Sequence, residues 1–133
     1  MPCFWCDRFG VRLTRDHVKP RCAGGGDEDN IVMACDGCQA SRNQIQQYYT
    51  NAKVLRFKVA IRWPDAGRRH KEQIRRMRAT LLKQLSGVLT LVAFWTQRET
   101  DRWGSSPTAA LDLTVPDLPK RRRDRWIVRR CCG

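Results

Sequence analysis

Two C-x-x-C pairs, Cys3/Cys6 and Cys35/Cys38, bracket the first third of the chain. Each pair can form a tight knuckle that offers two thiolates, and two knuckles complete a tetrahedron around one zinc ion. Four thiolates leave no open coordination position, so this Zn²⁺ is expected to be structural. A segment of about 40 residues has too little apolar core to fold well alone, and a metal tying its two ends together compensates for that. The competing reading is two redox-active or merely buried cysteine pairs. Of the seven cysteines, Cys22 has no partner at ligand spacing, and Cys131-Cys132 is expected to fray at the C-terminus.

The stretch between and after the knuckles reads as two short strands and two helices. Val11 to Arg15 alternates apolar and polar residues, and Asn30 to Ala34 is β-branched, which suits a strand in each case. Asp36 or Ser41 is placed to cap a helix that runs to about Trp63, where Pro64 and Gly67 break it. Ile45, Tyr48, Tyr49, Ala52, Leu55 and Val59 give that helix one apolar face. A second helix is predicted from Arg69 to about Trp95, with Ile74, Met77, Leu81, Leu85, Val88 and Val92 as its buried stripe. Pro116 and Pro119 argue against a regular element further on. The fold class is therefore α+β: a zinc-bound finger in residues 1–50, two long helices over 40–97 that pack on it, and an irregular basic tail over 98–133. The longest apolar stretch, Val88 to Trp95, is far short of the roughly 20 residues that span a bilayer. The N-terminus lacks a secretory pattern. No membrane partner is expected, and the expected location is cytoplasmic, or the nucleoid in a bacterium.

Lys and Arg number 26 against 13 Asp and Glu, a net charge of +13. Such an excess attracts polyanions, because each neutralised phosphate releases a counterion. An arginine-rich composition inherited from a GC-rich genome is the bland alternative, and clustering speaks against it. Arg68 to Arg78 is one cluster, and Lys120 to Arg130 carries seven basic residues among eleven. Arg75, Arg76, Arg122 and Arg123 are the candidate phosphate contacts there, and Trp126 the candidate for stacking on a base. Trp63 and Trp95 are expected in the core. From charge alone the expected partner is nucleic acid, with an anionic membrane surface second, and no small-molecule cofactor is expected.

Between the knuckles lie Asp16-His17, then Pro20, Gly24-Gly25-Gly26 and Asn30, and Gln39 directly follows the last cysteine with Arg42-Asn43 soon after. In that order these residues resemble the HNH endonucleases, the His-Me finger family, over the first third of the chain. The resemblance implies a ββα-metal finger that hydrolyses DNA phosphodiesters, nicking one strand and leaving 5′-phosphate ends. It implies His17 as the general base, for which imidazole is suited because it titrates near neutrality. It gives Asn30 the task of holding the His17 loop by hydrogen bonds. Asp16 and Gln39 would hold a catalytic Mg²⁺ or Mn²⁺, and Lys19, Arg21 and Arg42 would bind neighbouring phosphates. Gln39 departs from the pattern, which has His or Asn there; the extra methylene moves the carbonyl oxygen by about 1 Å. Two alternatives stay open: an inactive zinc-stabilised nucleic-acid-binding module, and a subunit of a phage or mobile-element nucleoprotein complex. Taken alone, Asp27-Glu28-Asp29 reads as a solvated turn, and His70 and Arg42 as helix surface.

Overall fold

A computed structural model describes residues 1–62 and 68–116 of the chain. Trp63, Pro64, Gly67, Arg122, Arg123 and Trp126 lie outside the described residues, and so do the expectations placed on them. The architecture is α+β: strand β1 (Leu13–His17), strand β2 (Ile31–Cys35), helix α1 (Asp36–Arg62) and helix α2 (Arg68–Trp103). The strands pair antiparallel, Leu13 opposite Cys35 and His17 opposite Ile31.

The first strand starts two residues later than its alternation suggests. Gly10 adopts a left-handed φ of 70° just before it, and Val11 belongs to the turn that carries the first knuckle back over the sheet. The second helix ends eight residues later than expected, at Trp103 rather than Trp95. Its polar last turns look like loop, yet Trp95, Glu99 and Trp103 continue the inward stripe at four-residue spacing. The true stop is Gly104, at a φ of 74°, whose N–H donates to the Thr100 carbonyl at 2.8 Å.

Ile74, Leu81, Val88 and Trp95 recur every seven residues along α2 and are all buried. They meet Ile45, Tyr48, Ala52, Leu55 and Val59 of α1. Tyr49, expected on that face, is only half-buried, with the Lys53 ammonium 4.8 Å from its ring. Trp95 also reaches the finger, where its ring meets Trp5 edge-on at 5.3 Å. The segment after Gly104 is not a free tail in its described part. Leu111, Leu113 and Val115 pack on the core, and Tyr48 donates its hydroxyl to the Leu113 carbonyl at 2.9 Å. By length and composition alone, α2 from Lys71 to Trp103 is long and apolar enough to cross a membrane, a test that the core helix of a soluble protein also passes.

Candidate metal centre and the histidine loop beside it

The two knuckles form for different local reasons. In the first, Asp7 takes a left-handed φ of 60°, a conformation a short polar side chain tolerates, and its N–H donates to the Cys3 carbonyl at 2.9 Å. Phe4 N–H donates to the Met33 carbonyl at 3.0 Å, which docks this knuckle on β2. In the second, Cys35 ends β2 and Cys38 stands in the first turn of α1, so a strand-to-helix junction sets their separation. The four sulfurs lie within 4.8 Å of one another, and Cys6 Sγ is 3.8 Å from Cys35 Sγ. Bonds of about 2.3 Å from zinc to sulfur give a tetrahedron with edges of about 3.8 Å, so the donor set and spacing fit zinc.

Electrostatics point the same way. Burial pushes the Cys3 thiol up, but N–H groups of Cys35, Cys6 and Trp5 outweigh it and bring it down to about 6. Cys38 is pushed well above the ordinary thiol range by burial, and further by its hydrogen bond to Cys35 and the charge on Cys3. One thiolate forms readily and opposes the next, and a divalent cation removes that opposition.

His17 closes β1, and the loop that follows is folded around one side chain. Asn30 accepts from the Lys19 N–H at 2.7 Å and donates to the carbonyls of Lys19 at 2.9 Å and Gly26 at 2.8 Å. Asn30 is buried, and Gly25 passes so close that a Cβ there would sit 2.0 Å from the Lys19 carbonyl oxygen. Gly25→Ala is therefore expected to lower stability by about 1–3 kcal/mol, the usual cost of overpacking, read by urea denaturation. Gly26→Ala, whose Cβ meets nothing within 4 Å, is the control.

Asp27 is a solvated turn residue as expected, and it also reaches back to His17, with its Oδ1 2.7 Å from the imidazole Nε2. Arg21 also approaches, with Nε 3.3 Å from that nitrogen and Nη2 3.2 Å from the same carboxylate oxygen. A carboxylate only accepts, so Nε2–H donates to Asp27, and in the neutral ring Nδ1 is then the acceptor. The His17 hydrogen bond first, and that of Arg21 second, hold the Asp27 carboxyl below its ordinary range. Nothing in the sequence marks this pair, because only the folded loop brings the two residues together. Lys19 and Arg21 are exposed beside it.

Asp16, one residue earlier on the strand, points the other way, toward α1. Its Oδ2 accepts from Trp5 Nε1 at 3.0 Å and lies 3.1 Å from Arg42 Nε, an ion pair without hydrogen-bond alignment. Burial raises the Asp16 carboxyl above its ordinary value, with Arg42 pulling against it. Arg42 corrects both expectations for it, since it is neither a phosphate contact nor helix surface. It is buried, donates to Glu99 and to the Val18 carbonyl at 2.6 Å each, and lies 4.5 Å from the Trp5 ring and 5.2 Å from Trp95. Glu99, wholly buried, also accepts from Ser106, from the Thr108 N–H and from the Thr108 hydroxyl. Gln39 donates its amide to the Thr14 hydroxyl and to the Arg15 carbonyl.

Asp16, His17, Pro20, Arg42 and Asn43 share a cleft of about 10 Å³, room for a single water. Arg75 and Arg76 are not brought to it, because they stand about 36 Å from Glu99 along α2.

No family model, curated protein or solved structure matches the chain. The fold and site by themselves define a class: an α+β finger of one hairpin and one helix, with a four-cysteine centre that fits zinc, braced by a second long helix.

Proposed function

We propose that this chain is a metal-dependent endonuclease of the HNH type, hydrolysing DNA phosphodiester bonds with His17 as general base. The observation that carries the reading is the His17 loop: a histidine at a strand end, tied through Nε2 to Asp27, on a loop clamped by Asn30. In this reading His17 Nδ1 takes a proton from water, the oxygen attacks phosphorus, and the bond to the 3′-oxygen breaks. A 5′-phosphate and a 3′-hydroxyl result.

Asp16 and Gln39 are the residues that would hold a hard cation, Mg²⁺ or Mn²⁺. One carboxylate and one amide oxygen, completed by waters and substrate phosphate, is a usual donor set for magnesium. When bound, the ion supplies charge stabilisation at the scissile phosphate. Arg42 competes for the same carboxylate, so such an ion is held weakly without substrate. Among the described residues, only the four cysteines bring together three or more His, Cys, Asp or Glu ligands. In this reading those cysteines hold structural zinc, and the basic residues around the finger, Lys19 and Arg21 among them, face the DNA backbone.

A second reading, a zinc-stabilised binding module without hydrolysis, is favoured by the commitment of the Gln39 amide to Thr14 and Arg15 and of Asp16 to Trp5 and Arg42. Relaxation of supercoiled plasmid by the zinc-loaded protein, with Mg²⁺ or Mn²⁺, separates the two. His17→Ala is expected to slow nicking by about 10²–10⁴-fold, with DNA affinity by fluorescence anisotropy unchanged. Nicking that survives His17→Ala removes the assigned base. An inactive wild type that Gln39→Asn turns into a nickase assigns the chain to the binding class.

A further inference from the structure

Helix α2 has two apolar faces. Ile74, Leu81, Val88 and Trp95 occupy the first, against α1 and the finger. On the second, Leu82 and Leu89 are 45% and 51% exposed, and the exposed Ala79, Ser86 and Ala93 interleave with them. These five recur at alternating steps of three and four, the spacing of a coiled-coil seam, over about 21 Å of helix. No charged residue occurs from Gln84 to Gln97. A contiguous exposed apolar stripe of this kind marks a contact surface.

We propose that this face joins two copies of the chain, α2 packing antiparallel on its equivalent about a twofold axis between Ser86 and Leu89. The pattern itself names the occupant. Run antiparallel, Leu82 of each copy meets Ala93 of the other, and Leu89 meets Ser86, so the four central layers each set one large side chain on one small one, with Ala79 opposite Thr96 at the ends. That is self-complementarity of the kind a twofold interface requires. Run parallel, each residue meets itself, leucine on leucine and alanine on alanine, and the Arg75-Arg76-Met77-Arg78 ends come together. Charge favours the same orientation, because the antiparallel pair brings Arg76 of one copy to within two residues, about 3 Å along the axis, of the level of Asp101 of the other. The proposal does not rest on the nuclease reading.

Sedimentation equilibrium of the zinc-loaded full chain tests it. A species of twice the 15.5 kDa chain mass is expected. Leu89→Glu should raise the dissociation constant at least about tenfold, with helical circular dichroism and zinc content unchanged, since Leu89 is exposed in the single chain. A mixture of Leu82→Cys and Ala93→Cys proteins should cross-link above the wild-type background, and Leu82→Cys alone should not. A monomeric wild type overturns the proposal, including one that pellets with anionic vesicles and so gives this face to a lipid surface. A dimer indifferent to Leu89→Glu, or Leu82→Cys cross-linking to itself, overturns it equally.

Discussion

Cys35→Ser, or exhaustive chelation of metal, is expected to unfold residues 1–35 while α1 and α2 keep most of their helical signal. Apparent binding energies of structural zinc are about 10–16 kcal/mol near neutral pH, far above what the finger's own small core supplies. The finger holds two short strands, and its apolar content is Trp5, Val18, Val32 and Ala34 around the cysteines. Near-ultraviolet circular dichroism reads the result, because Trp5 touches Trp95 and Phe4 and loses both environments when the first knuckle opens. The far-ultraviolet signal should fall far less. Restored zinc should return the near-ultraviolet bands in wild type and not in Cys35→Ser.

The second large effect belongs to Arg42→Ala. That change leaves Glu99 wholly buried without its cation, and removes the counter-charge of Asp16 and a donor to the Val18 carbonyl. Breaking a buried pair from one side costs about 3–5 kcal/mol, because a charge stays desolvated and unpaired. For a chain of this size that lowers the melting temperature by roughly 10–20 °C. Glu99→Gln should cost less, since the amide oxygen still accepts from Ser106 and the Thr108 N–H, and Arg42 keeps Asp16 and the Val18 carbonyl as partners. A melting temperature unchanged in Arg42→Ala would mean that the guanidinium is not the hub tying β1, α1 and α2 together.

The features legible in the sequence were those with local or spaced signatures. The cysteine pairs, the β-branched second strand and the seven-residue stripe of α2 each carry their own pattern. Asn30 has no pattern of its own, and its loop-holding role is legible only through the family resemblance. What escaped depends on partners distant in the chain. Arg42 looks like helix surface because the Ala40-Ser41-Arg42-Asn43 stretch is polar, and only Glu99, 57 residues away, makes a buried arginine stable there. Glu99 was hidden in turn by the polar last turns of α2. Asp27 is solvated, and its contact with His17 escapes the sequence because the two meet only when the loop closes. Asp16 and His17 read as one pair in sequence, yet strand alternation turns Asp16 into the Arg42 network and His17 to Asp27, and the two share only the edge of one small cleft.

Everything proposed for the finger depends on one metal held by four thiolates. X-ray absorption at the zinc edge, on the full-length chain purified without added metal, tests that most directly. One zinc per chain with four sulfur neighbours at about 2.3 Å is the expected result. A sulfur count below four with nitrogen or oxygen making up the shell, or a metal-free protein with its knuckle cysteines oxidised, would contradict it.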